Sequence, residues 1–335
     1  MKDMIDFKKD LRDTVAEWLQ LYGIRYKESA SLRELLIKWY TFLDKYILPG
    51  KRTVHVSEEL SAKLPSLPAP VQTAFQKMAG WLEEGTDINC FQSRGLYGQG
   101  SRDYQNMVYG FIHLHLSAKE QDTLPVIKKD GFAKPGKYLL YGCIKEDDAY
   151  LIDIGEHPEA LKKGKNLPVD WLGRRLLVIF RRNWPELLED RMLRGVMPCD
   201  SRGNRINLND GELTSLITGH VNTLVDVDDA YYLPGFGVTT SGDSVQAVLR
   251  ADRSIRRASL AQIHYEKNPE FIHQKFREIL ERNGRPVPVA FDIHYDYIEI
   301  LGKSAALDRI SKSAWDYDSG TLYLFGEKEQ RTMSR

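Results

Sequence analysis

The sequence predicts an α+β fold, in which antiparallel strand groups are separated by helices rather than strung into regular β–α–β units. Three observations carry this. The run Val108–Leu116 alternates with a period of two, the mark of a half-buried strand. Residues 137–145 and 149–154 form two apolar runs around Glu146-Asp147-Asp148, which predicts an antiparallel hairpin. Residues 6–22 and 31–46 carry apolar side chains at helical spacing.

A chain of 335 residues is long for one domain, and length suggests two or three. The 47 basic and 47 acidic residues cancel, so any contact with nucleic acid must use a local patch. Cys90, Cys143 and Cys199 are widely spaced and form no C-x-x-C pair, which points to neither a zinc ribbon nor a disulfide framework and fits a reducing compartment. The N-terminal residues mix acidic and basic side chains, unlike a secretory signal, and no apolar stretch is long enough to span a bilayer. The expectation is a cytoplasmic protein with no membrane partner. Three segments are expected: a helical one over 1–64, an α+β core over 65–165 and a C-terminal α+β domain over 166–335.

In the first helix Phe7, Leu11, Val15, Trp18, Leu19 and Tyr22 form the apolar stripe and Gly23 ends it. In the second, Leu32, Leu35, Leu36, Trp39, Phe42 and Leu43 do so, with Ser31 and Glu34 as a capping box and Leu48-Pro49-Gly50 as the stop. These aromatic-rich helices suit core packing or, alternatively, docking of a protein partner such as an antitoxin. Residues 65–70 predict a stiff Pro-rich connector. A third helix follows, with Val71, Phe75, Met78 and Leu82 on one side and Gly85 at its end. Residues 86–107 predict a long polar loop bearing Arg94, Arg102 and Tyr104. After the hairpin, residues 169–182 and 184–194 predict helices. Lys162, Lys163, Lys165, Arg174, Arg175, Arg181 and Arg182 make that region the most basic stretch. Asn209 and Asp210 cap a short helix to about Gly219, residues 221–239 predict a strand pair, and a helix starts near Ser241 or Asp243 and runs through the 260s. A further helix over 269–282 and strands over 287–301 and 320–325 complete the chain.

The chemistry centres on the alternating strand. Tyr109, Phe111, His113 and His115 share one face, and neighbouring side chains on such a face stand roughly 6.5–7 Å apart. Two imidazoles so placed can share a proton-transfer task, a phosphate or a metal, or simply edge a sheet; the chain has only eight histidines.

Residues 137–160, whose second strand ends in Gly155-Glu156-His157, resemble the C-terminal hairpin of the RelE family of ribonuclease toxins. The preceding Leu82-Glu83-Glu84-Gly85, loop and histidine-bearing strand extend the resemblance over about 90 residues. The N-terminal helices, the strand Tyr109–Leu116 and Asn183-Trp184-Pro185-Glu186-Leu187 are also similar to uncharacterised bacterial proteins of toxin and phage-defence loci. The resemblance implies a RelE-like central segment and metal-independent RNA cleavage, with RNA as substrate and no cofactor. A ribose 2′-hydroxyl would attack the adjacent phosphate, served by a base, an acid and cations for the developing charge. His113 and His115 are the implied catalytic pair, with Arg102, Tyr109, Lys137 and His157 in support and Arg94 on phosphate. The chain departs from that family in carrying His-x-His where arginine is usual and in lacking an arginine after His157.

Two other constellations compete. His-x-His followed by Glu120 has the spacing of a cupin metal site, for which His157, Asp153 or His220 could complete the ligands; Pro135–Gly142 matches the second cupin motif only in part. The loop Gly235-x-Gly237-x-Thr239-Thr240-Ser241-Gly242 before a helix could cradle a phosphate, with Arg250, Arg253 and Arg257 along one helix face as a backbone-tracking ridge. A hairpin end and an N-capped helix explain the same glycines. Asp292, His294 and Asp296 share one face of a late strand. The sequence thus favours a ribonuclease-like effector, against a His-x-His metal enzyme or a non-catalytic subunit of a defence complex.

Overall fold

A computed structural model describes residues 6–97, 103–116, 131–133, 136–156, 174–228, 230–233 and 237–267, together with Gln274 and the strand pair 315–316 and 321–322. In chain order the elements are helices α1 (Phe7–Leu21) and α2 (Leu32–Leu43), strand β1 (Thr53–Val56), helices α3 (Glu58–Lys63), α4 (Ala69–Glu84) and α5 (Tyr104–Tyr109), and strands β2 (Ile112–His115), β3 (Tyr138–Lys145) and β4 (Asp148–Glu156). Then come α6 (Arg175–Asn183), β5 (Met192–Leu193), α7 (Asp210–Thr218), β6 (Val225–Val227), β7 (Ala230–Tyr232), α8 (Val245–Lys267), β8 (Trp315–Asp316) and β9 (Thr321–Leu322). The fold is α+β, as its sequence predicts. The chain divides into two units, one made of residues 1–43 and 247–335, the other of 44–246.

In the first unit α1 turns Phe7, Leu11, Val15 and Leu19 inward, and α2 answers with Leu35, Leu36, Trp39 and Tyr40. Trp18 meets Trp39 with ring centroids 5.2 Å apart, and Tyr22 meets Phe42 at 5.0 Å. The expected capping box is present: Ser31 N donates to Glu34 Oε2 at 2.7 Å, and Glu34 N to Ser31 Oγ at 3.3 Å. Helix α8 buries a stripe of small residues, Ala247, Ala251, Ser254 and Ala258, which lets backbones approach closely. Tyr40 and Ser254 hydroxyls bond at 2.7 Å, Arg33 grips Asp252 at 2.7 Å, and Gln262 Oε1 accepts from Phe7 N at 3.1 Å. Trp39, Tyr40 and Phe42 are therefore core, while Tyr22 is 37% exposed. Trp39, at 2% exposure, is not on offer to a protein partner.

The second unit holds a four-stranded sheet in the order β1-β4-β3-β2, with β1 parallel to β4 and the other pairs antiparallel. One face packs Ile112, Leu114, Leu140, Leu151 and Ile154 against Val71, Phe75, Met78 and Leu82 of α4. Gly85, at φ +84°, ends that helix in the left-handed conformation. Part of the other face, with Cys143, Tyr150 and Ile152, packs on Leu177 and Phe180 of α6, on α7, and on a small antiparallel sheet of order β5-β7-β6. A bulge between Tyr141 and Gly142 shifts the β3–β4 register.

Several expectations need correction. The alternating run does not start a strand at Val108: Tyr104–Tyr109 is helical, Gly110 caps it at φ +75°, and the strand is only Ile112–His115. The loop expected over 86–107 contains that helix and two short 3₁₀ turns. Helix α4 starts at Ala69, inside the expected connector, and Pro185–Arg191 is a 3₁₀ helix leading into β5. Strand β1 was not expected at all, and its pairing with β4 carries the sheet across the boundary expected at 64/65. The helix over 269–282 and the strand over 287–301 lie outside the described residues, apart from Gln274.

Candidate functional site

The polar end of the sheet is built by a tight helix-to-strand reversal. Asp103 caps α5 by accepting from Asn106 N at 3.1 Å, six residues of helix follow, and Gly110 turns the chain into β2. This brings the Asp103 carboxylate back to the strand, 3.7 Å from His113 Nδ1. Alternation does the rest: Ile112 and Leu114 enter the apolar core, and His113 and His115 fall on the opposite face. Their rings stand 6.0 Å apart, edge to face at 85°. Across the sheet His113 pairs with Tyr141, and Tyr141 with Asp153. Gly155 leaves room for the Tyr141 ring, since a Cβ there would sit 3.2 Å from Tyr141 Cε2.

Charge converges on the same end. Lys45 is buried; loss of hydration lowers its pKa, against the opposing pull of the Asp103 and Asp44 carboxylates. Its segment is held by amides: Gln92 Nε2 donates to the Lys45 carbonyl at 3.0 Å, Asn106 Nδ2 to the Asp44 carbonyl at 3.2 Å, and Asn89 brackets Ile47 through bonds of 2.9 and 2.7 Å. Asp153, 1% exposed, is bound by Lys63 at 3.1 Å and by Arg175. The arrangement offers two adjacent imidazoles, that of His115 only 4% exposed, a carboxylate facing the other, and a buried lysine amine. Such a set can move protons and stabilise anionic charge. Asp103 and Lys45 were missed from sequence; the position of Asp103 one residue before a helix was the available signal for the first.

The other sequence candidates are scattered. Tyr109 lies at the C-terminal end of α5, not on the histidine strand. It packs against Phe111 within an apolar cluster, where burial pushes its phenol pKa up. Lys137 precedes β3 and pairs with Glu156 at 3.1 Å, and the hydrogen bond and charge of that carboxylate raise its pKa. Arg94 is exposed on a 3₁₀ turn. Arg102, His157 and Glu120 lie outside the described residues, as do Lys162, Lys163, Lys165, Asp292, His294 and Asp296.

The glycine-rich loop closes on itself. Thr239 Oγ1 bonds Ser241 Oγ at 2.8 Å, Ser241 donates to Asp243 Oδ2 at 2.7 Å, and His220 Nδ1 lies 2.9 Å from the Thr240 carbonyl. Its hydroxyls are engaged with a carboxylate of their own, which opposes a phosphate in the same place. The arginine ridge is likewise not uniform. Arg250 lies over the Tyr40 ring at 4.2 Å, Arg257 is half-buried, and of the three only Arg253 is exposed. In the basic stretch Arg174 pairs with Asp210 and Asp226, Arg175 with Asp153, and Arg181 with Asp228. Among the described residues no three His, Cys, Asp or Glu side chains converge as a metal site, and Asp153 and His220 are engaged elsewhere. Nor is any described helix long and apolar enough to cross a membrane.

No protein-family model matches the chain, and no curated protein or solved structure is significantly similar to it.

Proposed function

We propose that this protein is a ribonuclease-like effector that cleaves RNA by metal-independent acid–base chemistry, with His113 and His115 as the pair. One observation carries the reading: two imidazoles 6.0 Å apart on one sheet face, the first with a carboxylate 3.7 Å from its Nδ1. The Asp103 carboxylate would stabilise the imidazolium formed when His113 takes the proton of an attacking 2′-hydroxyl. His115 would return a proton to the departing 5′-oxygen. A bacterial toxin or phage-defence setting, with an antitoxin as protein partner, belongs to the same proposal and rests on the resemblance of the hairpin.

The test is RNA integrity, in cells and with purified protein, for wild type beside the single and double alanine variants of His113 and His115, with folding checked by circular dichroism. Each single change is expected to lower cleavage by roughly 10²–10⁴-fold, and chelator is expected to leave wild type active. Intact RNA with wild type, or equal cleavage by the double variant, overturns the proposal. Activity lost to chelator would favour a His-x-His metal enzyme instead.

A further inference from the structure

In the second unit, β5 runs into a bend at Arg194-Gly195, with Gly195 at φ +70°, and then into a hairpin over 198–206. The hairpin is closed by Ile206 N donating to the Pro198 carbonyl at 2.9 Å and Asp200 N to the Asn204 carbonyl at 2.8 Å. Between bend and hairpin lies a groove of ≈ 530 Å³, lined by Met192, Arg194, Val196, Met197, Arg205 and Tyr231 among others. None of these residues belongs to the histidine site.

Two properties of the groove bear on what it could hold. The first concerns its arginines. Arg33, Arg174, Arg175 and Arg181 each hold a carboxylate. Among the described residues Arg194 and Arg205 hold none, and both are exposed. Arg205 is nevertheless fixed: its Nε donates to the Tyr231 hydroxyl at 2.6 Å, and its guanidinium lies over the Tyr231 ring at 5.4 Å. That leaves the N–H groups of its two terminal nitrogens with no described acceptor. The second property is apolar lining in the open. Val196 is 44% and Met197 59% exposed beside these cations, and a groove of this size falls in the range of small-molecule sites. A preset guanidinium fork selects an oxyanion, and methionine and valine select an apolar or planar body.

We infer that this groove binds a small organic anion, a carboxylate or phosphate head on an apolar or planar body, with Arg205 and Arg194 on the head. Arg205 is the anchor, since Tyr231 orders it before the ligand arrives and less freedom is lost on binding. Val196 and Met197 cover the body and lose their exposure.

The experiment is isothermal titration of the full chain with AMP, octanoate and inorganic phosphate, repeated on Arg194→Glu, Arg205→Glu and, as a control outside the lining, Arg202→Glu. Saturable binding of AMP or octanoate, stronger than that of inorganic phosphate, is expected, and which of the two binds assigns the head and body. Each reversal at 194 or 205 should weaken it by roughly tenfold or more, with the control unchanged. Arg194→Glu guards against the case in which Arg205→Glu disturbs the hairpin. No saturable binding of either organic anion overturns the inference. So does phosphate binding equally well, or affinity indifferent to both reversals.

Discussion

Asp103 has two tasks, and a single substitution separates them. It caps α5 through Asn106 N and faces His113 with its charge. Asparagine caps helices about as well as aspartate, so the cap should survive Asp103→Asn and the protein should stay folded. If the carboxylate orients His113, RNA cleavage should still fall markedly. Full activity in a stably folded Asp103→Asn protein would remove the carboxylate from the mechanism. Lys45 gives a pH signature. Burial lowers its pKa from the ordinary 10.5, so between the lowered value and 10.5 the unfolded chain holds more protons than the folded one. Stability therefore rises with pH across that window. Lys45→Met should remove the rise, seen as a flatter denaturation midpoint against alkaline pH. Cys143, whose thiol is pushed up to about 11 by burial, acts in the opposite sense from 9.0 upward but cancels between wild type and variant. Equal slopes in the two proteins would mean that Lys45 is hydrated in solution.

At the scale of elements, two glycines with the same backbone requirement should respond differently. Gly85 and Gly110 both cap helices at positive φ, +84° and +75°. An added Cβ at Gly110 meets nothing within 4 Å, whereas at Gly85 it would lie 2.8 Å from Gly50 C and Lys51 N. Gly110→Ala should cost only the left-handed strain, roughly 1–2 kcal/mol. Gly85→Ala adds a backbone collision, so its melting temperature should fall further. Equal losses would mean the Gly50 segment yields easily. The same elements explain what could be read from sequence. The stripes of α1, α2 and α4 and the β3–β4 hairpin were legible because their patterns are long and local. Strand β1 was not: four residues, paired in parallel with residues 148–151, carry no local sign of their partner. Helix α5 falls where the sequence predicts the end of a loop and the start of a strand, because six residues are too few for a 3.6-residue period to show. The histidine pair was visible as spacing within one strand. Lys45 and Asp103 were not, since only the folded chain brings them together.

For the whole molecule, charge is best followed in the basic stretch over 174–182: Arg174, Arg175 and Arg181 each hold a carboxylate of the fold, so the stretch presents less positive charge than its composition suggests. Among the described residues, the two apolar clusters of the second unit lie between Ile47 and Val238. A fragment spanning 44–246 is therefore expected to fold by itself, with cooperative thermal unfolding by circular dichroism. A non-cooperative melt would show that residues outside that span are needed to complete it.

The first unit has a history as well as a structure. Its helices α1 and α2 leave the ribosome early, yet Ser254, which meets Tyr40, lies 214 residues further along. At translation speeds of roughly 5–20 residues per second, Tyr40 waits about 10–40 s for that partner. Throughout this interval the nascent chain carries the side of the helical pair that α8 will cover, and any product that terminates early carries it for good. Premature stop products should be the forms that chaperones hold and proteases remove.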